Sequence, residues 1–301
     1  MDKVDRLFAV LAPYGASRDE ILAAHTSFRI GGPAQLFIEP GSREAFSLAL
    51  QSALKEGVPV TFIGNGSNLL VSDSGVDGLI IKLGQAFSGI EMMEDGKVYA
   101  QAGSLLSALA NFAADHSLMG LEWAAGIPGS VGGAIAMNAG AYGGEIKDVL
   151  YEVEYLDMAT DEFVCRPPLL GELGYRKSAF AWPGRVVLSA TFNLLPDDGG
   201  MRERMHNYAQ KRKNKQPLSY PSAGSTFKRP EGNFAGALIE AAGLKGTRIG
   251  GAEVSELHAG FVINRGKATC ADVLALIELV QKRVLEDSGV FLDPEIKFIG
   301  R

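Results

Sequence analysis

At 301 residues the chain exceeds one ordinary core, so two or three compact units are expected, and 47% hydrophobic with 21% charged residues is a folded protein's balance. A formal net charge of -6 argues against a nucleic-acid surface, which needs a broad excess of lysine and arginine. Cys165 and Cys270 alone make neither a disulfide framework nor a cysteine metal site, and no run approaches the ~18 apolar residues of a membrane span.

Residues 1–12 read as an amphipathic helix rather than a secretion signal, which points to a cytoplasmic chain. Strands are predicted over 36–39 and 58–63, flanking a helix over 42–56 whose Ala45, Phe46, Ala49, Leu50 and Ala53 recur at helical spacing. Gly64-Asn65-Gly66-Ser67-Asn68 then forms a tight loop before a strand over 69–71. Further strands are predicted over 79–82 and 98–101, with a helix over 104–116 between them and a β-rich stretch at 149–157, 162–166 and 186–195. Asp197-Asp198-Gly199-Gly200 reads as a linker to a separate α+β unit, with helices over 201–215, 233–242 and 271–288. The chain ends in a strand over 295–299, where Ile296 and Phe298 alternate with Glu295 and Lys297.

Three glycine-bearing segments suggest an anionic, flat ligand. Gly64 to Asn68 offers consecutive backbone N–H groups with few Cβ atoms, as an anion nest does, although a hairpin turn would look the same. Leu69 stands where a Rossmann fingerprint has its third glycine, which disfavours that fold. Gly126-Ile127-Pro128-Gly129-Ser130-Val131-Gly132-Gly133 leads through Met137-Asn138-Ala139-Gly140 to Gly143-Gly144-Glu145, and so many glycines weaken any regular element. A ring system against bare backbone would compensate; a packed set of turns is the alternative. Arg29-Ile30-Gly31-Gly32 sets a guanidinium before a third flexible loop.

These segments resemble the UDP-N-acetylenolpyruvoylglucosamine reductase family, and the likeness runs over almost the whole chain. Gly174-Tyr175-Arg176-Lys177-Ser178 resembles the segment that supplies its catalytic arginine, here Arg176. Pro221-Ser222-Ala223-Gly224-Ser225-Thr226-Phe227-Lys228 resembles the segment of its proton-donating serine, here Ser225; Ala223 and Phe227 replace the glycines of a hydrolase elbow. Asp293-Pro294-Glu295-Ile296-Lys297 resembles the segment of its catalytic glutamate, here Glu295. Lys215, in the basic run 211–217, resembles its substrate-phosphate lysine, and Tyr175 falls with Arg176 in the substrate segment.

The resemblance implies an α+β fold, with a two-part FAD-binding region of the vanillyl-alcohol-oxidase (PCMH) type and a smaller α+β substrate domain. The expected divisions are 1–84 and 85–199 for the FAD-binding subdomains, the latter with the terminal strand 291–301, and 200–290 for substrate. FAD contacts are expected from Arg29, Gly31, Gly32, Gly64, Asn65, Gly66, Ser67, Asn68, Gly126, Gly129, Ser130, Gly132 and Gly133. The implied reaction uses NADPH to reduce FAD, and then reduces UDP-N-acetylglucosamine enolpyruvate to UDP-N-acetylmuramate for peptidoglycan. The chain resembles the shorter branch that lacks a tyrosine-bearing loop over the substrate. No metal, nucleic-acid or membrane partner is expected, and the chain reads as a monomer or weak homo-oligomer. His25, His116, His206 and His258 match no catalytic motif. Rival readings are a flavin-linked oxidase on the same scaffold and a non-catalytic flavin or UDP-sugar binder.

Overall fold

Asp2 accepts a hydrogen bond from the Asp5 amide (2.8 Å) and so starts the first helix, α1 (Lys3–Leu11), of the computed structural model, which describes residues 2–301. Val4, Leu7 and Leu11 are its buried stripe. It lies along α2 (Arg43–Glu56), held by Arg6–Glu56 (2.8 Å) and by Lys3 Nζ donating to Gly57 O (2.9 Å). Ser42 Oγ caps α2 by accepting from the Ala45 amide (3.2 Å), and Gly57, at φ 62°, ends it.

Two units emerge. The first holds the described residues up to Ser17, Phe37–Asn65 and Leu79–Arg212; the second holds Arg18–Leu36, Gly66–Gly78 and Lys213–Arg301. The first unit contains α1, α2, a parallel pair in which Val60 to Ile63 oppose Leu79 to Lys82, and a five-stranded sheet. That sheet runs in the order Glu162–Arg166, Leu150–Asp157, Arg185–Phe192, Val98–Gln101, Ile90–Met92, antiparallel throughout. Its central strand Arg185–Phe192 is buried from Val186 onward, as a strand covered on both faces should be. The unit also contains α3 (Leu106–Asp115) and α4 (Val131–Met137), and α4 packs on the central strand. The glycines after Gly126 weaken regular structure without preventing it: Ser130 caps α4, its Oγ accepting from the Gly133 amide (3.3 Å).

Between the strands ending at Arg166 and starting at Arg185, the chain is pinned by Glu172. Its carboxylate accepts from Arg166 Nη1 (2.8 Å) and Nη2 (2.6 Å), from Arg185 Nη1 (3.0 Å) and from the Leu169 amide (2.8 Å). The Arg166 hydrogen bonds, ahead of the other donors, hold its pKa down to about 2. A carboxyl lowered on folding stabilises fully above its unfolded value of 4.5, and that stability is lost as pH falls through 2. We expect Glu172→Gln to cost roughly 3 kcal/mol in urea unfolding at pH 7. The gap between variant and native protein should narrow steadily below pH 5; an equal gap at pH 7 and pH 3 would contradict this.

Helix α5 (Met201–Lys215) carries the chain across the boundary between Arg212 and Lys213. The second unit contains α6 (Ala235–Ala241), α7 (Cys270–Ser288) and an antiparallel sheet of Arg248–Ile249, Ala252–Val254 and Val262–Asn264. In α7, Val273, Leu276, Ile277, Val280 and Val284 form the buried face, and they join Phe28, Ile30, Leu70, Phe227 and Ile239 in one core. Its N-terminus is doubly satisfied: Thr269 and Asp272 form a capping box, while Asp73 accepts from the amides of Cys270 (2.8 Å) and Ala271 (3.0 Å). The terminal strand Lys297–Ile299 pairs in parallel with Leu69–Val71. Among the described residues no helix is long and apolar enough to cross a membrane, no metal-ligand cluster forms, and Cys165 and Cys270 are free thiols.

Candidate active site

In the second unit Ser225 follows Gly224, whose φ of 76° only glycine adopts cheaply, and its side chain is exposed. The next residues are held rigidly. Thr226 N donates to Gly260 O (2.8 Å), Thr226 Oγ1 accepts from the Val262 amide (2.9 Å), and Phe227 bridges Pro294 in antiparallel fashion. Glu295 N donates to Thr226 O (2.8 Å), so the serine and glutamate segments are hydrogen-bonded neighbours. Asn68 Nδ2 donates to Glu295 O (3.1 Å), which ties the loop of Gly66, Ser67 and Asn68 to the glutamate as well.

The remaining residues of this unit sit in tight turns. Arg29 has a left-handed φ of 56°. A Cβ on Gly32 would lie 2.1 Å from Asp73 O, and one on Gly31 2.9 Å from Val71 Cβ. Gly66, at φ 61°, would meet His25 O at 2.0 Å. Lys215 is exposed at the end of α5.

In the first unit the two glycine clusters meet. A Cβ on Gly64 would fall 2.3 Å from Ser130 Oγ, and Asn65 Nδ2 donates to Pro128 O. Gly129 O accepts from the Leu106 amide (2.9 Å), and Gly132 N donates to Ala102 O (2.8 Å) with its missing Cβ 2.8 Å from Ala102 Cβ. Much of the glycine requirement is therefore set by the protein's own close packing. At Gly133 the nearest obstacle is Ser130 Oγ, 3.3 Å away. We expect Gly66→Ala to destabilise the apoprotein by more than about 2 kcal/mol, since it is both left-handed and blocked by a carbonyl. Gly133→Ala, inside a helix, should change it by less than about 1 kcal/mol. Urea unfolding of both variants checks the contrast, and equal losses would contradict it.

Tyr175 and Arg176 form the tip of a short hairpin in which Leu173 opposes Ser178 and Gly174 opposes Lys177. Arg176 is left-handed (φ 51°), its Nη2 donates to Gly140 O (2.9 Å), and its guanidinium lies 5.1 Å from the Tyr175 ring centre. The residue that secures this hairpin carries no role in the sequence reading. Asn138, fully buried, donates from Nδ2 to Gly174 O (2.8 Å) and Glu145 Oε2 (3.0 Å), while its Oδ1 accepts from the Lys147 amide (3.0 Å). A lone polar residue in an apolar run was its only sequence signal. The histidines keep structural surroundings, with His25 on Glu20 (2.9 Å), His116 Nδ1 on Phe112 O (2.8 Å) and His258 accepting from the Gly260 amide (3.0 Å).

A cavity of about 380 Å³ opens in the first unit beside Gly64 and Asn65, with Lys82, Gly84, Gly103 and Ser104 also on its wall. Glu39 shares that wall and pairs with Lys82 (3.2 Å), and Ser104 Oγ donates to Gly89 O (3.1 Å), so the bare backbone at Gly64, Gly84 and Gly103 is what suits a flavin dinucleotide, in a volume usual for a ligand cleft. A second cavity of about 520 Å³, lined by Met119, Trp123, Asn193 and Arg204 among others, contains none of the expected site residues.

Residues 34–164 match the family model described as an FAD binding domain, and residues 216–299 match the C-terminal domain of UDP-N-acetylenolpyruvoylglucosamine reductase. Both parts of the expected α+β architecture are therefore present. A UDP-N-acetylenolpyruvoylglucosamine reductase from Agathobacter rectalis is 50% identical, with 96% of each chain covered. One from Caldanaerobacter subterraneus subsp. tengcongensis is 48% identical over 99% of this chain and 98% of its own. The solved reductase of the same name from Thermus caldophilus is 36% identical and superposes with a TM-score of 0.78, covering 93% of this chain and 97% of that one.

Proposed function

The chain belongs to the UDP-N-acetylenolpyruvoylglucosamine reductase family, and from that premise we propose how its residues divide the work. It is an FAD-dependent oxidoreductase that reduces the enolpyruvyl group of UDP-N-acetylglucosamine enolpyruvate in peptidoglycan synthesis. Bound FAD would supply the hydride chemistry, accepting hydride equivalents from a donor and making them available to the terminal enol carbon. NADPH is that donor, and it leaves before the sugar nucleotide binds.

The chain's own residues manage the proton and the charge. Ser225 gives its hydroxyl proton to the carbon beside the carboxylate, which forms the lactyl ether of UDP-N-acetylmuramate. A hydroxyl is a weak acid, so its placement matters more than its pKa. The observation that carries this assignment is the Glu295 N to Thr226 O bond, which fixes the carboxylate-bearing segment beside the serine. Arg176 grips the substrate carboxylate as a planar fork and stabilises the negative charge that develops there. Glu295 polarises the same reacting group; Tyr175 contacts the substrate and Lys215 its diphosphate.

FAD is held by the loops at Arg29, Gly31 and Gly32, at Gly64 to Asn68, and at Gly126, Gly129, Ser130, Gly132 and Gly133. The division into FAD-binding halves over 1–84 and 85–199, with a substrate domain over 200–290, belongs to the same reading. A nucleotide sugar and NADPH as reactants support a cytoplasmic location for the reaction. In the test, NADPH oxidation should require the enolpyruvyl sugar and yield UDP-N-acetylmuramate mole for mole. Oxygen consumption with an alcohol, and none of that coupling, would favour an oxidase instead.

A further inference from the structure

We propose that Arg212 is a diphosphate-binding residue whose seat is the bare Cα of Gly126. Arg204, Tyr208 and Arg212 recur at four-residue intervals and so share one face of α5. Two of the three are satisfied by the protein. Arg204 donates to Glu122 Oε1 (3.0 and 2.7 Å) and to Asp198 (2.9 Å), and the Tyr208 ring stacks on Tyr142 with centres 4.4 Å apart and planes 4° from parallel. The third is not. Arg212 is half-buried, yet among the described residues its guanidinium forms no hydrogen bond or ion pair. By contrast Arg166, Arg185, Arg202 and Arg204 each meet a carboxylate.

Its path is prepared. A Cβ on Gly126 would lie 2.7 Å from Arg212 Cδ, so the opening glycine of the Gly126 to Gly133 segment is required for this side chain to lie where it does. Burial disfavours the charged guanidinium, and Tyr142 is the neighbour whose charge would oppose that. A desolvated cation without an anion is costly to the protein alone, and an anionic ligand relieves the cost. A planar five-donor fork matches phosphate oxygens better than any other common anion except carboxylate. Given the proposed function, on which this inference rests, the available anions of that class are the diphosphates of FAD and of the UDP-sugar.

The test compares Arg212→Gln and Arg212→Lys with native protein, using FAD added to apoprotein and UDP added to holoenzyme as probes. Tyr208→Phe, which keeps the ring stack, is the control. Arg212→Gln should weaken one of the two probes by roughly tenfold or more, with Arg212→Lys intermediate. Loss of FAD affinity assigns the residue to the cofactor, and loss of UDP affinity assigns it to the substrate. If Arg212→Gln does not fold, Arg212→Lys decides by the same readings. Affinities for FAD and UDP both within about twofold of native in a folded variant would overturn the proposal. Native protein that turns over NADPH and the enolpyruvyl sugar, while the variants bind both probes normally, would refute the role of Arg212 and leave the reaction standing.

Discussion

Ser225→Ala should slow reduction of the enolpyruvyl sugar by roughly 10²–10⁴-fold, the usual worth of a placed general acid, while NADPH reduces bound FAD at close to the native rate. The split follows from the local geometry. Gly224 and the Thr226 bonds to Gly260 and Val262 are backbone or neighbouring-residue contacts, so removing one exposed hydroxyl leaves the segment in place. Stopped-flow measurement of the two half-reactions separates the effects. Equal slowing of both would remove Ser225 from its role as acid.

Arg176→Lys should lower kcat by about 10²–10³-fold in the same half-reaction, comparable to deleting a donor that stabilises transition-state charge. Lysine keeps the positive charge, so the loss measures the fork and not the charge. The substitution also removes the bond from Nη2 to Gly140 O, and with it a constraint on the hairpin tip. The fork also holds the ground-state carboxylate, so KM should rise as well, but by a smaller factor than kcat falls, because the charge it stabilises grows during reaction. A raised KM with kcat unchanged would show that Arg176 only binds the ground state.

The sequence exposes what is local. Ser42 and Gly57 bracket α2, and Thr269 with Asp272 opens α7, because capping chemistry lies within a few residues of the helix it serves. A terminal strand is legible at 295–299 from alternation alone. Its partner Leu69–Val71 is not, since parallel pairing between distant segments leaves no mark in either one. Helix α4 is hidden because Gly132 and Gly133 lower its propensity; packing on the central strand and the Ser130 cap override that.

Glycine was the ambiguous letter. The motif is equally legible as backbone cleared for a ligand, yet Gly132 faces Ala102, Gly126 faces Arg212 and Gly32 faces Asp73, so the clearance serves protein contacts first. Asn138 and Arg212 are the converse case. One lies in a glycine-rich run and the other in a basic run on a helix, and only burial and the partners within reach distinguish them from their neighbours.

The most direct test is a visible spectrum of the purified protein, followed under anaerobic conditions by one equivalent of NADPH and then by the enolpyruvyl sugar. A yellow solution that bleaches with NADPH and regains its colour only when the sugar is added is the predicted course. A colourless protein that takes up no FAD, or a bleached one that the sugar leaves bleached, would contradict the account.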